Sequence, residues 1–270
     1  MPEILTDLTP ATLAAANKAN LYGFFRTFEQ STTMEFARMD GIARWHSPHP
    51  YFWFNSVLCS RNATAVDNRI IEETIAFFQS RKIKSIGWWL EDGVSRSSWG
   101  DLLLQYGFEY FDGPPGMDVD LKKLPEKLPI PPGLEIRTMN GPEALHDYAH
   151  LITTAFDFPA ETEPAAYDWA RGLKLGISLL IYLAYLEGKL VGTSSIFYGA
   201  GVAGIYTVGV SSEARRKGIG AAMTLRPLLE ARNKGFRIGI LQSSEMGYKV
   251  YQMLGFEKRT QLGCFHLKLS

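Results

Sequence analysis

Apolar and polar positions change their period several times along this chain of 270 residues. Residues 9–28 place their apolar positions at helical spacing, and an aromatic stretch follows, His46-Ser47-Pro48-His49-Pro50-Tyr51-Phe52-Trp53-Phe54-Asn55. That stretch leads into a strand at 56–59. A helix is predicted over 67–80, a strand over 83–90, a helix over 97–106, and a final strand pair from Gly107 onward. Pro125, Pro129, Pro131 and Pro132 then crowd into residues 122–133, where fixed φ angles keep the chain extended and non-helical. This divides the chain near its middle. Beyond it come a strand at 134–137, a helix at 142–155, and strands at 179–186 and 190–198 joined by the hairpin signal Glu187-Gly188-Lys189. A β-branched strand at 205–210, a helix at 221–234, a strand at 238–242, a short helix at 248–254 and a closing strand complete the order. Pro227 falls inside the helix at 221–234, where it removes the bond to Met223 and is expected to bend the helix.

The two halves share more than their order of elements. Gln105-Tyr106-Gly107-Phe108-Glu109 is echoed by Met253-Leu254-Gly255-Phe256-Glu257, each ending a short helix. The echo suggests two copies of one fold. The copies differ in chemistry: no glycine stands between Gly41 and Gly87, and the position of Tyr251 is held by Leu103 in the first copy.

What the first copy lacks is the turn Arg215-Arg216-Lys217-Gly218-Ile219-Gly220, between a strand and a helix start. Amides at a helix N-terminus are unpaired and sit at the positive end of its dipole, and glycine lets an anion approach the backbone. This is a phosphate cradle. It is not a Rossmann fingerprint, since Met223 stands where a small residue is needed, and it lacks the Gly-Lys-Ser/Thr of a P-loop.

Bulk properties narrow the partners. The formal net charge is zero, which gives no pull toward nucleic acid or a membrane surface. The longest apolar run, 177–186, is about half of what spans a bilayer. Met1-Pro2-Glu3-Ile4-Leu5-Thr6-Asp7 has no basic segment or apolar core, so no signal peptide is expected. Cys59 and Cys264 read as buried thiols in a reducing cytoplasm.

The spacing Arg215-x-x-Gly218-x-Gly220 resembles the pyrophosphate loop of the GNAT superfamily of N-acetyltransferases. Val208-Gly209-Val210 resembles that family's central strand, Tyr251-Gln252-Met253-Leu254-Gly255-Phe256 its downstream tyrosine motif, and Glu187-Gly188-Lys189-Leu190-Val191-Gly192 its hairpin. All stand in family order across residues 134–270. The resemblance implies an α/β fold with a mixed sheet and two tandem GNAT-like domains. These are a degenerate one at 1–124, a proline-rich linker at 125–133 and a catalytic one at 134–270.

The resemblance also implies acetyl-CoA as cosubstrate, no metal, and an amine acceptor attacking directly in a ternary complex. Its pyrophosphate falls to Arg215, Arg216, Lys217, Gly218, Ile219, Gly220 and Ala221. Val208, Gly209 and Val210 supply main-chain bonds to the pantetheine arm and an amide that polarises the thioester. Tyr251 is the general acid for the leaving thiolate, Tyr248 one turn away is the fallback, and Ser244 takes the place of a family asparagine that contacts the cofactor.

No carboxylate stands at Gly204, Tyr206 or Thr207, where many members hold their base. Water, Glu161, Glu163 or Asp168 are the candidates left. His146 and His150 have metal-compatible spacing but read as a polar helix face, and His46 and His49 read as packing. The alternative function is a non-catalytic acyl-CoA-binding or regulatory module. A cytoplasmic monomer or homodimer is expected, without nucleic acid or membrane partners.

Overall fold

One eleven-stranded mixed sheet runs through both halves of the chain. The computed structural model describes residues 3–32, 34–39, 42–49, 51–59, 67–90 and 98–269. The first half comprises α1 (Pro10–Phe25), β1 (Glu35–Met39), β2 (Ile42–His46), β3 (Ser56–Cys59), α2 (Asn68–Ser80), β4 (Ser85–Leu90), α3 (Ser98–Gln105) and β5 (Glu109–Asp120). The second comprises β6 (Leu134–Thr138), α4 (Leu145–Ala155), α5 (Glu163–Gly172), β7 (Leu179–Leu186), β8 (Lys189–Gly199), β9 (Val202–Val210), α6 (Ile219–Asn233), β10 (Ile238–Gln242), α7 (Glu245–Met253) and β11 (Glu257–Lys268). Among the described residues no helix is long and apolar enough to cross a membrane.

Local chemistry accounts for most of these elements. The Asp67 side chain accepts from Arg69 N–H and starts α2. Ser244 does the same for α7 through Gly247 N–H, at 3.2 Å. Glu187 and Gly188 both take positive φ, the mirror-image turn that matches strand twist and closes the β7–β8 hairpin. Pro227 is buried inside an unbroken α6, and the Met223 carbonyl that its missing N–H would leave bare accepts the Ser194 hydroxyl at 2.7 Å.

One expectation is corrected. The expected final strand pair after Gly107 is one strand, β5, whose pairing with β11 shifts register twice, with the extra residue on β11 before Thr260 and on β5 at Pro114. Strands β1 and β2 and helix α5 were not anticipated. Ser97, the expected start of the third helix, lies outside the described residues.

The strand order is β1-β2-β3-β4-β11-β5-β10-β9-β8-β7-β6. The antiparallel runs β1 to β3 in the first half and β6 to β9 in the second each lead to one parallel pair, β3 with β4 and β9 with β10. The halves then exchange their last strands. The second half's β11 pairs with β4, and the first half's β5 pairs with β10. The exchanged strands lie antiparallel in the centre, Glu257 opposite Asp118 and His266 opposite Glu109. Met117 and Val119 of β5 and Leu121 just past its end therefore sit in the core of the second half, and Phe265 of β11 sits in the core of the first. A third core lies between them, uniting Phe24, Phe25, Phe28 and Trp45 with Trp169, Ile181 and Tyr206. Cys59 and Cys264 are both buried.

Candidate active site

The parallel pair β9–β10 holds register only from Ala203 opposite Gly239 to Ile205 opposite Leu241. Beyond that the strands part. On β8, Thr193 faces Gly209 and Ser195 faces Tyr206, so β9 carries one extra residue there. This is a bulge, which bends and twists a strand locally. Thr207 takes φ +48° within it, and its hydroxyl lies 2.6 Å from that of Ser195. Burial pushes the neighbouring Tyr148 phenol up to about 12, while Thr207 and Ser195 act in the opposite sense.

Helix α1 of the first half holds both strands where they separate. Asn20 accepts the Tyr206 hydroxyl at 2.7 Å and donates to Gly199 carbonyl at 2.8 Å. One turn away, Asn17 accepts from Gln242 at 2.8 Å and donates to Met117 carbonyl at 3.1 Å. The Phe24 ring stacks on Tyr206 with centroids 3.8 Å apart. Sequence reasoning missed these residues. Two asparagines three apart on the apolar face of a helix were the available signal, since buried amides need fixed partners.

Past Val210 the chain turns into α6. Arg216 has φ 63° and Gly218 φ 80°, a left-handed pair that folds successive amides into a concave nest. Ala222 N–H is the first to reach a helical acceptor, Gly218 carbonyl at 3.1 Å. The amides of residues 216–221 have no acceptor among the described residues. Arg216 and Lys217 are exposed. Arg215 is half-buried, and its guanidinium donates to Val210 carbonyl at 3.2 Å and to Ala155 carbonyl, the last of α4, at 3.1 Å. It thereby fixes the turn against β9 and α4. Ile219 is buried beneath the turn, and Ala221 is half-buried.

Tyr251 lies on α7, 8% exposed, with its ring edge-on to Phe256. Burial pushes its phenol up to about 12, against a smaller opposing pull from Thr224 on α6. Thr224 itself donates to Gly220 carbonyl at 2.9 Å, which links the tyrosine to the turn. Tyr248 is half-buried one turn earlier, and Ser244 caps the same helix.

A cavity of about 980 Å³ opens where β9 and β10 part. Thr207, Val208, Ser244, Tyr248 and Tyr251 all line it. Its far wall is aromatic and comes from both halves. Glu161, Glu163 and Asp168 do not line it. Glu163 pairs with His150 at 3.0 Å and Asp168 with Arg171 at 3.0 Å on the outer side of α4 and α5. His146 stacks on Tyr167, and His46 is buried on Asn55 at 2.8 Å. No group of three or more His, Cys, Asp or Glu side chains that could hold a metal occurs among the described residues.

Residues 145–256 match the family model described as the Acetyltransferase (GNAT) family. No curated protein matches the chain. Solved structures show the fold over nearly its full length. One is the GCN5-related N-acetyltransferase from Kribbella flavida, 16% identical, covering 94% of each chain with a TM-score of 0.64. Another, from Sphaerobacter thermophilus, is 15% identical and covers 96% of this chain and 93% of its own, with a TM-score of 0.58. A tandem GNAT protein from the clavulanic acid biosynthesis pathway is 14% identical, covering 88% of this chain and 84% of its own, with a TM-score of 0.56. The turn before α6, the parted strands and Tyr251 all fall inside the matched segment, and residues 145–256 of this chain are a GNAT-family acetyltransferase domain.

Proposed function

We propose that the protein is an N-acetyltransferase that moves the acetyl group of acetyl-CoA to an amine within a ternary complex. The observation that carries this reading is the parting of β9 from β10 after Ile205, with Tyr251 lining the gap. In this reading residues 134–270 are catalytic, 125–133 are a linker, and 1–124 are a degenerate copy of the same fold that has kept the strand order and lost the anion turn.

The unpaired amides of residues 216–221 take the pyrophosphate at the positive end of α6, with Arg216 and Lys217 adding charge at the rim. The open edge of β9 at Val208, Gly209 and Val210 receives the pantetheine arm as an added strand, and an amide there polarises the thioester carbonyl. The acceptor nitrogen then bonds to the carbonyl carbon as the carbon–sulfur bond breaks. Sulfur leaves with the Tyr251 proton. The proton shed by nitrogen passes to water in the cavity, and the phenol is reprotonated from solvent, so the balance closes without a covalent enzyme intermediate. A phenol held up to about 12 arrives protonated at any physiological pH.

Free CoA release measured against a panel of amines tests the reading. Release with at least one amine, absent without it, is the expected result. Tight acetyl-CoA binding with no release for any acceptor would instead make the protein a binding or regulatory module.

Gly220→Ala probes the turn separately from stability. A Cβ at this position meets nothing nearer than Val210, at 3.7 Å. Alanine is also the better helix former by about 0.5–1 kcal/mol. The variant should therefore melt no lower than the parent and keep its KM for acetyl-CoA within about twofold, because the loop pattern this turn resembles takes glycine or alanine at this place. A KM raised tenfold or more, with melting unchanged, would show that this turn does not hold the pyrophosphate as that loop does.

A further inference from the structure

We infer that the large cavity is the acceptor site and that the acceptor is an amine with a bulky aromatic body, not a polycation. The inference rests on the acyl-transfer reading above. At about 980 Å³ the cavity is at the upper end of the usual range for small-molecule sites, far more than an acetyl group fills. It is continuous with the transfer point, because Val208 and Tyr251 line the same space. Its occupant is therefore a reactant.

The walls state what that reactant looks like. Phe25 at the end of α1, Phe28 in the turn after it, Trp89 of β4 and Trp169 of α5 are all buried, and Trp53 and Phe158 close the space from opposite halves with ring centroids 6.3 Å apart. The charged residues that line the cavity, Asp112, Glu245, Lys249 and Lys258, are all exposed and balance in sign. They form a rim. A polyamine or aminoglycoside drawn inside would lose water at several charges and meet no counter-charge. An aromatic amine brings a single cationic head, which ring faces accept, and a planar body that stacks on them. A long acyl chain is the other apolar occupant this space admits, and rings offer a flexible chain less than they offer another ring. The first half, which lacks an anion turn, thereby acquires a part in the reaction: it supplies about half of the wall that selects the acceptor.

The test uses the full chain and acetyl-CoA with tryptamine, 2-phenylethylamine, ethylamine, spermidine and a lysine-containing peptide. Tryptamine should exceed ethylamine and spermidine in kcat/KM by about 100-fold or more, the scale of several apolar groups in a fitted pocket. Trp53→Ala should lower kcat/KM for tryptamine about tenfold, through KM, and leave ethylamine within about twofold. The Trp53 main-chain carbonyl that accepts from the Trp45 indole is retained in this variant. Phe158→Ala, from the other half, should act alike, with thermal melting as the check on folding. Preference for spermidine or the peptide would overturn the inference and leave the transfer reading standing. Decanoyl-CoA displacing acetyl-CoA, with Trp53→Ala abolishing its advantage, would overturn it in favour of an acyl pocket. If no amine is acetylated, the transfer reading falls. Binding of tryptamine measured by isothermal titration calorimetry, weakened about tenfold in Trp53→Ala, then supports the assigned occupant, and no binding overturns it.

Discussion

Tyr251→Phe should lower kcat by about 100- to 1,000-fold, the range that one positioned general acid supplies, and leave the KM for acetyl-CoA within about twofold. The substitution removes one oxygen from a ring that is already packed edge-on to Phe256 and lies against Gly247, so the fold keeps its contacts. The loss belongs to the departure of sulfur, which without a proton leaves as a thiolate. The pH profile of the parent adds an independent sign. A raised pKa keeps the proton on the phenol to higher pH, and burial pushes this one up to about 12. The kcat/KM should therefore rise as the acceptor amine deprotonates and show no falling limb below about pH 10. Unchanged turnover in the variant, or a falling limb centred near neutrality in the parent, would take the acid role away from Tyr251. Tyr248, on the same helix and lining the same cavity, is then the residue to replace.

Expressed separately, residues 1–124 and 134–270 should each fail to yield a stable monomer, and co-expressed they should co-purify and melt in one transition. Each half is completed by the other's strand. Without β5, the second half loses Met117, Val119 and Leu121 from its core, together with Leu124. At about 1.5–3 kcal/mol for each buried side chain, these contribute about 6–12 kcal/mol, comparable with the about 5–15 kcal/mol that holds a whole domain folded. The ion pairs Asp118–Arg259 at 2.9 Å and Asp120–Arg237 at 2.6 Å would be cut as well. Asp118, almost wholly buried in the intact chain between β10 and β11, would lose both flanking strands along with its arginine. Size-exclusion chromatography decides the matter. A soluble, monomeric 134–270 fragment that melts like the intact chain would show that β11 folds back onto β10 with no need of the exchange.

The second half was legible because its signals are local. Strand β10 and the β7–β8 hairpin fall where residue pattern and turn chemistry put them, and α6 begins within two residues of its expected start. The β1–β2 pair was missed although Asp40-Gly41 stands between Met39 and Ile42, which face each other across the ladder. Both strands are short and lie at one side of the sheet, and the dipeptide was the signal to use. The exchange of β5 and β11 left no such mark. Each strand has the same pattern whichever neighbour it takes, so its partner is a tertiary choice. The acceptor cavity was hidden for the same reason. The aromatic run near residue 53 is plain in the sequence, but its convergence with Phe158 and Trp169 exists only once the halves have met.

The exchange also sets an order of events during synthesis. Strand β4 emerges well before the neighbour it pairs with, residues 257–268, which is made only after β5 to β10. Until that strand arrives, the free edge of β4 and the apolar face of β5 have no partner within their own half. Contacts this far apart in sequence close slowly, and an open strand edge in the interval invites pairing with another chain. The free edge must therefore be protected until β11 is made, and the two halves reach the native state together, not in turn.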